Sequence, residues 1–294
     1  MALNDQKAWR IISHTVMILM SSAALLPFFL LIIASFTDES AALRYGYSYI
    51  PQALSLDAYK YILSNSSVYF RAYGMTVLVT VTGTSISIII TSLTGYVLSK
   101  NNLPGVKIMT FFVIFTMLFN GGLVATYISY VTIFKIKNTL WALVVPNLLM
   151  NAFLVMLMRN YFLHNIPAEI YESARIDGAD EFLIFARLVM PLSKPILATI
   201  GLMTGITYWN DWQNSLYYID DVSMYTIQAI LNSINDSINA LASLGASAGL
   251  SIAELPTTTI RMAVAVVGVL PILIIYPFFQ QFFAKGLMAG AVKG

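Results

Sequence analysis

The densest chemistry in this sequence lies between residues 165 and 194. Five carboxylates (Glu169, Glu172, Asp177, Asp180, Glu181) and three bases (Arg175, Arg187, Lys194) crowd there, with Arg159 just upstream and long uncharged runs on both sides. Charges in that number cannot sit in hydrocarbon, so the stretch is expected in water, as a loop between membrane spans. These groups suit docking rather than bond-making. The chain has no G-x-x-x-x-G-K-[ST] phosphate cradle, no H-E-x-x-H and no G-x-S-x-G. Its two histidines, His14 and His164, stand far apart, and the absence of cysteine removes disulfides and thiolate metal sites. No catalytic, cofactor-binding or metal-binding residue is expected.

A second cluster runs Tyr208-Trp209-Asn210-Asp211-Trp212-Gln213. Aromatic rings beside amides and a carboxylate suit a sugar, whose C–H face stacks while its hydroxyls need hydrogen bonds. The alternative is an interfacial aromatic belt, since Trp and Tyr collect at headgroup depth. Asn210 and Asp211 point more firmly to a path, because polar groups at membrane depth are costly and face a cavity or a partner. Asn120 and Asn151 are candidates on the same ground, or they are glue between helices. Arg261 opens the last apolar run; it could bind an anionic sugar or snorkel to the interface. The Ser and Thr residues of 76–92 read as packing positions.

The elements that must position these groups are helices. In the charged stretch Asn165 can cap a first helix with Pro167 in its first turn. Glu169 and Glu172 then lie near the positive end of its dipole, and Ile170, Ala174 and Asp177 follow at helical spacing. Gly178 suits the left-handed residue that ends a helix. Asp180 can cap a second helix, which Pro191 should stop, and Ser193 and Pro195 begin the next element. A helix–glycine–helix knob of this kind suits a groove on a soluble partner; the plainer alternative is a solvated loop with short helices.

Composition makes the chain a membrane protein. Hydrophobic residues are 58% and charged residues 10%, against about 25% charged in a soluble domain. Mean hydropathy is +0.76. Six runs approach the about 20 apolar residues that cross a bilayer: 11–37, 72–99, 108–134, 138–158, 195–210 and 262–283. The fifth is short and needs length from Leu192 or from the Lys194 stem. The first is too long for a signal-peptide core and lacks a small-x-small cleavage site. The fold expected is all-α, a polytopic membrane protein with six transmembrane helices.

Ten of the Lys and Arg residues fall with the N-terminus, the 100–107 loop, the charged stretch and the tail; six fall on the other side. The positive-inside rule puts both termini and the charged stretch in the cytoplasm. Two outer loops are long, 38–71 with its tyrosines and 220–256, which is rich in Ser, Asn, Ala and Gly. Loops of that length are functional or disordered. The net charge of +2 indicates no particular partner, and no nucleic acid is expected.

Glu172-Ser173-Ala174, three residues, Gly178, nine residues, then Leu188-Val189-Met190-Pro191 resembles the EAA motif of ABC-importer permeases. That motif is Glu-Ala-Ala, three residues, Gly, nine residues, Ile-any-Leu-Pro, so Ser173, Leu188 and Met190 depart mildly from it. The last ten residues, 285–294, are similar to the tail of maltose-type sugar permeases. The resemblance covers most of the chain, least securely before Arg71. It implies a MetI-like ABC permease core over 71–294 behind an N-terminal helix and outer loop over 1–70. It makes 165–194 the coupling loop, with Glu172, Ser173, Ala174, Asp177, Gly178 and Pro191 carrying the contact to an ATPase. Gly286, Gly290 and Lys293 become tail contacts, and the last outer loop reaches a solute-binding protein.

The same resemblance implies partners: a second, similar but non-identical permease subunit, two ATP-binding-cassette subunits that bind ATP and magnesium, an extracytoplasmic solute-binding protein, and membrane lipid. It implies a bacterial inner-membrane location. FNGGLVATYISYV at 119–131 and ITYWNDW at 206–212 look most like the branch importing oligosaccharides from polysaccharide breakdown, including uronate fragments of pectin or alginate. On that reading Trp209, Asn210, Asp211, Trp212, Asn151 and Arg261 form the substrate path. Other classes stay open. A peptide or amino-acid ABC importer would share the coupling loop. A secondary transporter would need intramembrane acids, and only Asp211 is near a span. A scaffold protein would not need the polar cluster at 209–212.

Overall fold

A computed structural model describes residues 2–100, 102–248 and 257–291. Among the described residues the structure is helical, apart from one antiparallel bridge between Thr37 and Leu54. The chain divides into two compact units, one of residues 1–69 and 231–271, the other of residues 70–230 and 272–294.

In the first unit α1 (Ala2–Ser35) is a long apolar helix, and its stretch Trp9–Ser35 meets the length and hydropathy of a span. The expected outer loop after it is folded rather than irregular. It carries α2 (Glu39–Tyr45), capped by Asp38 through the Ala41 amide, and α3 (Asp57–Ser64). Phe36 stacks on Tyr59 at 4.8 Å, and the Tyr59 hydroxyl meets Ser35 Oγ at 2.8 Å, so α3 is fastened where α1 ends.

The second unit is built on α4 (Ser66–Ser99), a 34-residue helix. Then come α5 (Val106–Leu118), α6 (Gly122–Ile128, widening to Ile133), α7 (Leu140–Val144), α8 (Ala152–Asn165), α9 (Ala168–Ile176), α10 (Glu181–Ile184), α11 (Met190–Leu192), α12 (Lys194–Trp209) and α13 (Gln213–Tyr218). Beyond them α14 covers Ile227–Ala248 and α15 covers Thr257–Ala291. The second expected outer loop is thus largely the helix α14.

The six continuous spans expected are not all continuous. Among the described residues three helices cross by length and composition: Trp9–Ser35, Ser66–Ser99 and Thr258–Phe278. Two more candidates are bent pairs, Val106–Leu118 with Gly122–Ile133 at 117° and Glu181–Leu192 with Lys194–Trp209 at 81°; the 181–192 arm of the second carries Glu181 and Arg187 and belongs to the charged stretch, outside the apolar run. The run 138–158 is broken outright. Pro146 stands after α7, Asn147 adopts φ 61°, and Asn151 caps α8 through the Leu154 amide at 3.2 Å. Proline removes a backbone donor, and non-helical backbone at depth needs other partners. Asn214 supplies one: its buried Nδ2 donates to the Pro146 carbonyl at 3.1 Å and the Leu143 carbonyl at 3.5 Å. Asn120 acts likewise at the bend between α5 and α6, where its Oδ1 accepts from the Gly122 amide at 2.8 Å. Apolar content alone reads such breaks as spans.

Candidate functional site

The charged stretch folds as two short helices about a glycine. Helix α9 ends in a paired-bond turn: the Gly178 amide donates to the Arg175 carbonyl at 3.0 Å, and the Ala179 amide to the Ala174 carbonyl at 2.9 Å. Gly178 takes φ +83°, the left-handed geometry this terminus requires. Asp180 then caps α10, accepting from the Leu183 amide at 2.7 Å.

Two local expectations are corrected. Asn165 does not cap α9; it ends α8, its Nδ2 donating to the Tyr161 carbonyl at 3.4 Å, and Pro167 occupies the cap position without a side-chain bond. Pro191 does not stop the second helix where it stands. It lies inside the helical run, directly after the widened turn at Phe185–Val189, and the helix continues to Leu192. The bend falls at Ser193, whose hydroxyl donates to the Val189 carbonyl at 2.7 Å.

The knob has a buried root and an open face. Ala174, Ile184, Phe185 and Val189 are buried in one apolar cluster with Met158, Phe162 and Ile200. Glu172, Ser173, Asp177, Gly178 and Pro191 face solvent, alongside two large apolar side chains, Ile176 at 85% and Phe182 at 73% exposed. An exposed isoleucine and phenylalanine on so charged a segment form a surface suited to a partner. Glu181, one charge among several in the sequence, accepts hydrogen bonds from Tyr96 and Arg175, which hold its carboxyl below the usual carboxylate range. Tyr96 lies on α4, so no local spacing could have found that pair.

The 208–213 cluster separates into structural and open residues. Tyr208 is structural: it is 1% exposed, and its hydroxyl donates to the Val144 carbonyl at 2.8 Å. Trp209 is buried, its ring 6.4 Å from that of Tyr73. Asn210 is exposed just past α12, its Nδ2 on the Ile206 carbonyl at 2.9 Å and its Oδ1 accepting from Gln228 at 3.4 Å. Asp211, two residues beyond α12, accepts from the Asn214 amide at 3.3 Å, and burial pushes its carboxyl up to about 6. Trp212 is half-buried at the start of α13. Chain connectivity thus brings residues 209–212 together at one turn. Asn151 is engaged in capping α8. Arg261 belongs to the other unit, half-buried, with Nη1 donating to Asn235 at 2.9 Å. Gly286 and Gly290 fall within α15, and Lys293 lies outside the described residues.

Residues 93–288 match the profile of the family described as binding-protein-dependent transport system inner membrane component. Over 275 residues the chain is 39% identical to the polygalacturonan/rhamnogalacturonan transport system permease protein YtcP of Bacillus subtilis (strain 168), covering 92% of each chain. It is 36% identical to the protein LplC of the same organism over 272 residues, covering 92% of this chain and 90% of that one. Its fold is similar to a chain in the crystal structure of a bacterial ABC transporter involved in the import of the acidic polysaccharide alginate. The TM-score is 0.79 at 26% identity, covering 94% of this chain and 97% of that one. With the helix–glycine–helix knob inside the matched region, the chain belongs to the family of binding-protein-dependent transport system inner membrane components, as a MetI-like ABC permease.

Proposed function

We propose that this chain is a membrane-spanning subunit of an ATP-driven carbohydrate importer whose cargo is an oligosaccharide carrying uronate residues. The observation that supports the cargo is the agreement between two relatives. The YtcP permease is named for polygalacturonan and rhamnogalacturonan, and the structural neighbour for alginate. The chain works beside a second, similar permease subunit, two ATP-binding subunits that hold ATP and magnesium, and an extracytoplasmic binding protein. Both termini and the 165–194 loop face the cytoplasm. There the knob seats on an ATPase through Glu172, Ser173, Ala174, Asp177 and Gly178, with Pro191 shaping the exit. Gly286 and Gly290, near the end of α15, meet partner subunits.

Transport then proceeds by alternating access. ATP draws the two ATPases together, the knobs travel with them, and the spans open outward to the binding protein. The residues assigned to the sugar are Trp209, Asn210, Asp211, Trp212 and Asn151 in one unit and, taken by itself, Arg261 in the other. A deletion strain tests this directly. Loss of uptake of labelled oligogalacturonate or alginate oligosaccharide, restored by the gene, is expected. Undiminished uptake of both, with loss of peptide or amino-acid uptake instead, would transfer the chain to the other importer class.

A further inference from the structure

The Glu181 carboxylate joins three helices. Its Oε1 accepts from Arg175 Nε at 2.8 Å and Nη2 at 2.6 Å. Its Oε2 accepts from the Tyr96 hydroxyl at 2.6 Å and lies 3.9 Å from Lys100 Nζ. Arg175 is in the last turn of α9 and Glu181 is the first residue of α10, whereas Tyr96 and Lys100 stand at the end of α4. Lys100 adds a second tie. Its ammonium stands 3.5 Å from the ring centroid of Tyr171, on α9, and 4.6 Å from that of Tyr96. A third contact fixes the same end of α4: Arg159 Nε on α8 donates to the Leu98 carbonyl at 2.9 Å.

A carboxylate serving only the knob would need Arg175 alone. Here the second oxygen is given to α4, and the bond is charge-assisted, the strong kind. The side chain of Lys100 is only 16% exposed, so the α4 side of the contact is sheltered from screening, while Glu181 itself is about half open. The Tyr96 ring continues the contact inward, 5.1 Å from Phe185 and 6.1 Å from Phe162. A displacement of α9 and α10 as one body therefore pulls on the end of α4 through Glu181.

We propose that Glu181 is a positioning residue that makes α4 follow the knob, so that Glu181, Tyr96 and Lys100 form the latch between the ATPase-driven loop and a membrane span. This rests on the reading that residues 165–194 seat on an ATPase. The latch is not part of the docking face, since Tyr96 is on α4 and Lys100 directly follows it.

The test uses the natural absence of cysteine. In the importer purified with its partner subunits and held in lipid nanodiscs, one cysteine is introduced either on the knob outside its docking contacts (Ala168→Cys, exposed in the first turn of α9) or near the end of α4 (Val97→Cys, a position 36% exposed). Maleimide labelling rates are then compared with and without ATP and vanadate. In the otherwise native chain both positions should change rate with ATP. With Tyr96→Phe or Glu181→Gln the change at 97 should be lost and the change at 168 retained, and the double variant should behave as either single. Tyr96→Phe removes one oxygen and keeps the ring, so it serves even where Glu181→Gln fails to assemble. No ATP response at 168 in the native background would overturn the docking reading itself. A response at 168 with position 97 unresponsive in the native background, or responding equally in both variants, would overturn the latch alone.

Discussion

The ring of Tyr208 lies flat against Gly83: a Cβ built on that glycine would stand 2.4 Å from the tyrosine Cζ. The same tyrosine reaches past α4 to the Val144 carbonyl, at the point where the 138–158 run breaks. A small residue on α4 therefore lets α12 hold a broken segment in place. Gly83→Ala forces the ring outward and should destabilise the detergent-solubilised protein by about 1–3 kcal/mol, as overpacking does. Tyr208→Phe keeps the shape and loses one hydrogen bond, about 1 kcal/mol. Thermal unfolding of both variants checks the order; a Gly83→Ala protein as stable as the native one would mean the ring has room to move.

Glu39 caps a helix more than two hundred residues away. Its Oε1 accepts from the Thr258 amide at 3.0 Å, and its Oε2 from the Thr259 amide at 2.8 Å and hydroxyl at 2.6 Å, at the start of α15. A carboxylate there satisfies free amides and meets the positive end of the helix dipole. Glu39→Ala should cost about 1–2 kcal/mol. Glu39→Gln, which keeps an acceptor but loses the charge, should cost less. Equal losses, read by thermal unfolding, would assign the effect to packing instead.

The knob shows how far the sequence could be read. Gly178, Asp180 and the helix–glycine–helix plan were legible because capping and left-handed glycine are local rules, carried by residues two or three positions apart. The Glu181–Tyr96 bond joins residues 85 positions apart and has no local signature. Apolar runs likewise revealed the class and the long helices α1, α4 and α15. They overstated continuity at 108–134 and 138–158, where Pro146 removes a donor and Asn120, Asn151 and Asn214 satisfy the freed backbone. In the 208–213 cluster composition could not separate Tyr208, a packing residue, from the exposed Asn210.

Gly178→Val places a β-branched residue at φ +83°. The left-handed region costs such a residue about 1–2 kcal/mol, enough to turn α10 away from its place after α9. Transport should be lost while the protein still inserts and remains in the membrane fraction. Glu172→Ala, exposed on the proposed docking face, should weaken coupling without altering insertion. Normal uptake by vesicles carrying either variant would remove residues 165–194 from coupling.

Arg261 donates to Asn235 through one nitrogen, and a guanidinium has further donors for a carboxylate in a paired geometry that lysine cannot copy. If it holds a uronate, Arg261→Lys and Arg261→Ala should both lose stimulation by an acidic oligosaccharide selectively. If it only anchors α15 at the interface, lysine should serve as well as arginine, and the variants should part company. Stimulated ATP hydrolysis by the purified complex with its binding protein separates the two.

The cargo is tested most directly by the native complex itself. Reconstituted with its partner subunits and binding protein, it is offered an oligogalacturonate, a neutral oligosaccharide of equal length and a peptide of similar mass, and ATP hydrolysis and uptake are measured together. Stimulation of both by the oligogalacturonate, well above the neutral sugar and the peptide, is the result expected of a uronate importer. Stimulation by the neutral sugar alone would contradict the acidic cargo, and stimulation by the peptide alone would contradict a carbohydrate importer altogether.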